Sequence, residues 1–234
     1  MESTLIAGEF ALGKILLFDK PLYWTSFDLV RKIRGILKNR LGLKKLKVGH
    51  AGTLDPLATG LMIVCTGKET KNIEKYQAEF KEYKAVIELG ATTPSFDLET
   101  DVDATYPTDH ITRADVEHVL NSLKGKGLQQ PPDYSARFIN GKRAYTLARK
   151  GETLDLPMKE IEIRNIQLIR FDLPVLEFVV VCSKGTYVRS LARDIGRALG
   201  SGAYLTALVR TAIGKFSLKD AIKIEDFERN LVLL

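Results

Sequence analysis

The sequence predicts an α+β fold with a mixed sheet. Two observations point there. The 234 residues are 45% hydrophobic, enough for a sizeable core in one domain of roughly 200 residues with room for a small appendage. Strand and helix patterns follow one another without the regular alternation that a parallel α/β sheet needs. Residues 13–18 form a short apolar run read as a strand and closed by Asp19-Lys20-Pro21. A helix is expected next: Thr25 and Asp28 have capping-box spacing, and Leu29, Val30, Ile33, Ile36 and Leu37 recur with helical period. Residues 61–65 read as a buried strand and 83–89 alternate as a half-buried one. Thr112 and Asp115 open a second helix that carries Val116, Val119, Leu120 and Leu123. Gln130-Pro131-Pro132-Asp133 breaks regular structure and Asn140-Gly141 signals a hairpin turn, so 126–152 reads as a protruding loop or hairpin. Strands return at 161–171 and 175–182. Val188, Leu191, Ala192, Ile195 and Leu199 then mark a helix whose opposite face carries Arg189, Arg193 and Arg197, and one short helix fits 224–231.

Several classes are excluded. Two cysteines cannot make a disulfide framework, no apolar run approaches the ~20 residues of a membrane span, and the N-terminus lacks the basic-then-apolar layout of a signal peptide. The expectation is a cytoplasmic protein with no membrane partner. A net charge of +6, from 35 Lys+Arg against 29 Asp+Glu, suggests an anionic partner, and the distribution of that charge decides. Between Asp28 and Asp55 there is no acidic residue, while Arg31, Lys32, Arg34, Lys38, Arg40, Lys44, Lys45 and Lys47 supply eight positive charges. Alone, such a block reads as a solvated helix face and a basic loop. Its position raises the nucleic-acid reading, because it runs straight into Gly-His-Ala-Gly-Thr-Leu-Asp. The arginines at 189, 193 and 197 form a second stripe. Arg137, Lys142, Arg143, Arg149 and Lys150, with Tyr134 and Tyr145 among them, suit phosphate contact plus base stacking.

The chemistry narrows quickly. Three histidines and two distant cysteines offer no metal-ligand spacing, so no metal site is expected. Gly67-Lys68 lacks the glycine spacing and following Ser or Thr of a phosphate loop. Asp97, Glu99, Asp101 and Asp103 form an acidic comb without the glycine and closing glutamate of a calcium loop, and read as a solvated turn. What remains is residues 49–60, GHAGTLDPLATG, where three glycines, a proline and Asp55 force sharp turns between the basic block and a buried strand. A lone aspartate before proline is ordinarily a turn residue. The segment Gly185-Thr186-Tyr187-Val188-Arg189 supplies a second candidate, an arginine at the start of a helix that could hold a carboxylate ionised.

Taken together, these blocks resemble the bacterial TruB family of tRNA pseudouridine synthases, which isomerise uridine 55 in the T-loop of tRNA. The resemblance runs in order through Leu17-Phe18-Asp19-Lys20-Pro21 with Thr25-Ser26, the 49–60 loop, Gly67 with Thr70-Lys71, and Lys81-Glu82-Tyr83. It continues through Leu89-Gly90, Tyr134-Ser135-Ala136 with Gly141-Lys142-Arg143, and Cys182 to Arg189, spanning about residues 14–210. It implies the pseudouridine synthase fold, a mixed and mostly antiparallel sheet with flanking helices, over residues 1–214. The segment 126–152 would be its thumb-like insertion, mobile without RNA. Residues 215–234 would be a short extension, a truncated or vestigial form of the family's RNA-binding module. The resemblance makes Asp55 the catalytic aspartate. It gives His50 the displacement of the flipped nucleotide, Tyr83 a stack on the uracil, and Arg189 a pairing with Asp55. Tyr187 and Leu208 complete the pocket wall, and Lys20 is structural. No cofactor is expected, and the partner is the T-stem-loop of tRNA, bound by a monomer with an affinity that falls steeply with salt. Three rivals stand beside this: an RNA-binding scaffold without chemistry, a pseudouridine synthase for another RNA, and an aspartate-dependent phosphoryl transferase or hydrolase.

Overall fold

The computed structural model describes residues 2–231 apart from 136, 140 and 153. In chain order the elements are α1 (Glu2–Leu12), β1 (Ile15–Lys20), α2 (Ser26–Leu41), β2 (Val48–His50), β3 (Ala58–Thr66), a 3₁₀ segment (Gly67–Asn72), α3 (Ile73–Ala78), β4 (Lys81–Leu89), β5 (Ala91–Thr92), β6 (Ala104–Thr105), α4 (Arg113–Ser122) and β7 (Gly125–Gln129). There follow β8 (Phe138–Ile139), β9 (Lys142–Arg143), α5 (Ala144–Ala148), β10 (Lys159–Asp172), β11 (Val175–Cys182), α6 (Val188–Ala198), β12 (Ala203–Ile213), β13 (Phe216–Ser217) and α7 (Ile224–Asn230). They make two compact units, Met1–Tyr83 with Val209–Leu234, and Lys84–Leu208. The strands β4 and β12 each belong partly to one unit and partly to the other.

In the first unit β1 pairs antiparallel with β3 from Ile15↔Cys65 to Lys20↔Gly60, and β2 adds Val48↔Thr66 to His50↔Val64. Ala51, Leu61, Ile63, Cys65 and Ile213 are fully buried together, with Leu17, Ile73 and Phe216 packed against them. The expected α2 forms where its capping box predicts: the Thr25 hydroxyl accepts from the Asp28 N–H, and Gly42 ends the helix in the left-handed conformation. Its apolar face, Leu29, Val30, Ile33, Ile36 and Leu37, is buried. The last helix packs on the opposite face of β1 from Leu17. Phe227 of α7 sits edge-on to Phe18 of β1 at 5.2 Å and to Phe10 of α1 at 6.3 Å between ring centroids.

In the second unit the strand order is β12-β4-β11-β10-β7. The β10–β11 hairpin runs antiparallel from Ile163↔Cys182 to Asp172↔Val175. The segment expected to protrude from residue 126 begins instead as sheet: β7 pairs antiparallel with β10 from Lys159↔Gln129 to Ile163↔Gly125. Four of its five residues are exposed, so this edge strand carries no apolar alternation for a sequence reading to find. Beyond it lie the β8–β9 hairpin, with Ile139 opposite Lys142, and α5. Asn140 of the expected turn lies outside the described residues. The second capping box also forms, with Thr112 accepting from the Asp115 N–H at the start of α4.

Because the Thr25 cap is exposed and makes local bonds, Thr25→Ala is expected to lower the unfolding free energy by about 1 kcal/mol. A urea denaturation midpoint identical to the wild type would show that the box contributes nothing.

Candidate active site

The loop 51–58 leaves β2 and enters β3, and main-chain bonds fix it on every side. The Ala51 N–H donates to the Ile63 carbonyl at 2.9 Å, which docks the loop's first residue in the core. Gly52 follows with φ +96°, a conformation that favours glycine. The Ser26 hydroxyl, at the start of α2, grips the Leu54 peptide from both sides, accepting from its N–H at 2.8 Å and donating to its carbonyl at 3.0 Å. The Ala58 N–H closes the turn on the Asp55 carbonyl at 3.1 Å, and the Tyr23 N–H donates to the Pro56 carbonyl at 2.8 Å. Asp55 is therefore held by its neighbours' backbone, half-buried near the loop's apex.

Two buried cations lie with this loop. Arg210, 1% exposed, donates from Nε to the Leu61 carbonyl at 2.7 Å and from its terminal nitrogens to Gly52 at 3.1 Å and Thr53 at 3.4 Å. At Gly60, with φ +102°, a Cβ would lie 2.4 Å from the Arg210 carbonyl oxygen, so only glycine lets β3 and β12 come this close. Lys20 is fully buried and donates to the Pro21 and Trp24 carbonyls at 2.8 and 2.7 Å. Burial pushes its ammonium down to about 8, against the opposing pull of the Asp55 carboxylate, with Arg210 lowering it further. His50, half-buried at the end of β2, is pushed below its ordinary value chiefly by burial, with the Arg210 charge adding to the effect.

The second unit carries the arginine site. The first turn of α6 begins at Tyr187, whose N–H donates to the Gln129 side-chain oxygen at 2.8 Å and whose carbonyl accepts from the Gln129 amide at 3.1 Å. Arg189, two residues on, is 5% exposed. Its terminal nitrogens donate to the Ser95 carbonyl at 3.1 Å and the Tyr134 carbonyl at 2.8 Å, and its Nε lies 3.4 Å from the Asp97 carboxylate. Leu208 is half-buried on β12.

Of the residues predicted from sequence, His50, Asp55 and the buried Tyr83 thus belong to the first unit, and Tyr187, Arg189 and Leu208 to the second. Two sequence readings are corrected. The acidic comb is not a solvated turn throughout: Asp97 is 5% exposed and pairs with Arg189, while Asp101 and Asp103 do face solvent. The second basic stripe, placed by its helical period opposite the apolar face, is largely internal. Arg193 is 6% exposed, stacks over the Phe96 ring at 4.9 Å and bonds to the Gln130 carbonyl, leaving Arg197 outside. Sequence reasoning also missed Arg210, Ser26 and Gln129, each of which acts on backbone far away in the chain; the presence of Thr25-Ser26 among the family blocks was the available signal for Ser26. Among the described residues no group of three or more His, Cys, Asp or Glu side chains is placed to hold a metal ion.

Comparison with known proteins fits this arrangement. The model of the TruB family pseudouridylate synthase N-terminal domain matches residues 38–188, and that of the tRNA pseudouridylate synthase B C-terminal domain matches 189–234. The tRNA pseudouridine synthase B of Phocaeicola vulgatus is 58% identical over 219 residues, 94% of this chain and 93% of its own. That of Parabacteroides distasonis is 58% identical over 228 residues, 96% of this chain and 97% of its own. Among solved structures, the crystal structure of a Cbf5-Nop10-Gar1 complex holds a similar chain, with a TM-score of 0.72 and 27% identity. The match covers 96% of this chain and 56% of that one, so this chain spans a little over half its length. Fold and sequence define the class, the pseudouridine synthases. Within it, the chain belongs to the TruB family and isomerises uridine to pseudouridine in tRNA.

The depressed His50 pKa has a thermodynamic consequence. Below the ordinary value of 6.5 the unfolded chain takes up the proton first, so the stability that neutral His50 contributes is lost as pH falls toward its lower folded value. Between about pH 7 and about pH 5.5 the wild-type denaturation midpoint is expected to fall more than that of His50→Gln; parallel pH curves would contradict it.

Proposed function

We propose that the target is the uridine at position 55 of the tRNA T-loop and that Asp55 is the reacting carboxylate. The observation that carries this is the backbone cage around residues 51–58, which holds one carboxylate beside the charges of Lys20 and Arg210. Pseudouridine formation breaks the bond from ribose C1′ to N1, turns the base and rejoins it through C5; N1 ends with a hydrogen and C5 loses one. A carboxylate can attack C1′ or take a ribose proton, and both routes end in loss of the C5 hydrogen. The reaction needs the nucleotide extruded from its stack, at a cost of a few kcal/mol. His50 assists that displacement, Tyr83 stacks on the uracil, Tyr187 and Leu208 wall the pocket, and Arg189 orients Asp55. The Arg189–Asp97 pair and the bonds to Ser95 and Tyr134 fix the guanidinium within the second unit.

The basic surface supports RNA as the partner. Lys44, Lys45 and Lys47 line one cavity with Lys68 and Lys71, a site for backbone phosphates. In the insertion, Arg143 stacks over the exposed Phe138 ring at 3.8 Å, and Arg149 lies 5.3 Å from the Tyr145 ring while pairing with Glu99. These suit a segment that closes on a stem-loop, held by one protein molecule, with residues 215–234 serving as a reduced RNA-binding module.

The test is tritium release from C5-labelled uridine in a T-stem-loop RNA. Wild-type protein is expected to release it, and Asp55→Asn to lose about 10³-fold or more of the rate. Release by the variant at the wild-type rate would remove Asp55 from the chemistry, and no release by the wild type would move the target to another position.

A further inference from the structure

Leu22, Tyr23 and Trp24 turn the chain from β1 into α2, and the turn is strained. Tyr23 has φ +66°, in the left-handed region where a bulky side chain is an outlier and costs about 1 kcal/mol or more relative to glycine. The fold gains no burial in exchange: Tyr23 is 74% exposed, and Phe27, in the first turn of α2, is 61% exposed. Single apolar residues on a surface are ordinary. Here, however, an exposed ring is kept at a strained position whose backbone is fastened to the reactive loop. The Tyr23 N–H bonds to the Pro56 carbonyl, one residue past Asp55. Arg31 follows Phe27 by four residues on the same helix face, its side chain largely in solvent and paired with Asp28 at 3.0 Å.

We propose that Tyr23, with Phe27 four residues on, is a stacking platform for an unpaired RNA base next to the target uridine. The proposal rests on Asp55 being the reacting carboxylate. Extruding one nucleotide unstacks its neighbour, which then presents a bare face. An aromatic ring beside the loop covers that face, and it tolerates any sequence because every base has a π surface. Arg31 stands one helical turn further along, placed for the phosphate that continues the strand. The direction of inference is from a backbone outlier to its use: strain persists where it has a role outside packing.

The test compares KM for tritium release from the T-stem-loop among wild type, Tyr23→Gly, Tyr23→Phe and Asp55→Asn. Tyr23→Gly removes ring and strain together. It is expected to raise KM about 10-fold, with the loss falling on KM rather than kcat. Tyr23→Phe keeps the ring and is expected to stay within about twofold of the wild-type KM. Tyr23→Asn, which also tolerates the left-handed backbone, gives the same reading should the glycine variant fold poorly. In a second arm, 5-iodouridine placed beside the target is irradiated on the protein, and the cross-link is expected on Tyr23 or Phe27. A wild-type KM for Tyr23→Gly, or a cross-link only elsewhere, overturns the platform. If Asp55→Asn still releases tritium, the assignment of Asp55 fails and the platform with it. If Asp55→Asn is inactive while Tyr23→Gly has the wild-type KM, the platform alone is lost.

Discussion

Arg210 is a full positive charge in the interior of the first unit, and its solvation shell is the backbone of the loop that carries Asp55. Three carbonyls, from Gly52, Thr53 and Leu61, replace the water that the guanidinium has lost. A buried charge demands such partners, and several kcal/mol follow their loss. The demand works in both directions: the carbonyls hold the arginine, and the arginine forces those carbonyls to point at one place. Loop geometry that would otherwise fluctuate becomes as definite as a strand. Gly60 permits the close approach, Gly52 the reversal, and Ser26 anchors the far side through the Leu54 peptide. Asp55 inherits its position from all four.

What the sequence could show divides along the range of the interaction. Both capping boxes, Thr25 with Asp28 and Thr112 with Asp115, formed as read, because a cap is settled within four residues. The β11 strand formed over the expected residues, and α6 and α7 ended within one residue of their expected limits, since their apolar periods are local too. The 49–60 loop was legible as unusual through its glycines and proline. Nothing local announced that Asp97 is buried against an arginine 92 positions later, for an acidic residue among acidic neighbours looks solvated until the fold closes over it. The same holds for β7, whose sheet membership comes wholly from β10.

Charge count was a weaker guide than charge placement. Residues 189 and 193 share helical spacing with Arg197, yet the first two are consumed inside the protein by Asp97, Gln130 and the backbone of Ser95 and Tyr134. The first basic block divides in a comparable way. Arg34 turns to the Val48 carbonyl and Lys32 to Glu228, whereas Lys44, Lys45 and Lys47 gather round an open cavity. Internal arginines define a shape, and the remaining lysines give that shape an attraction for polyanions.

The first unit is assembled from both ends of the chain, and this orders events during synthesis. Asp55 leaves the ribosome early, but the guanidinium that ties its loop is separated from Gly52 by 158 positions, and Phe227, which closes over Phe18, comes later still. Contacts of such separation form late, after the intervening residues have collapsed on their own. A nascent chain therefore carries Asp55 for most of its elongation before Arg210 can tie its loop. An interrupted product that stops short of β12 lacks Arg210 and with it the bonds to the Gly52, Thr53 and Leu61 carbonyls.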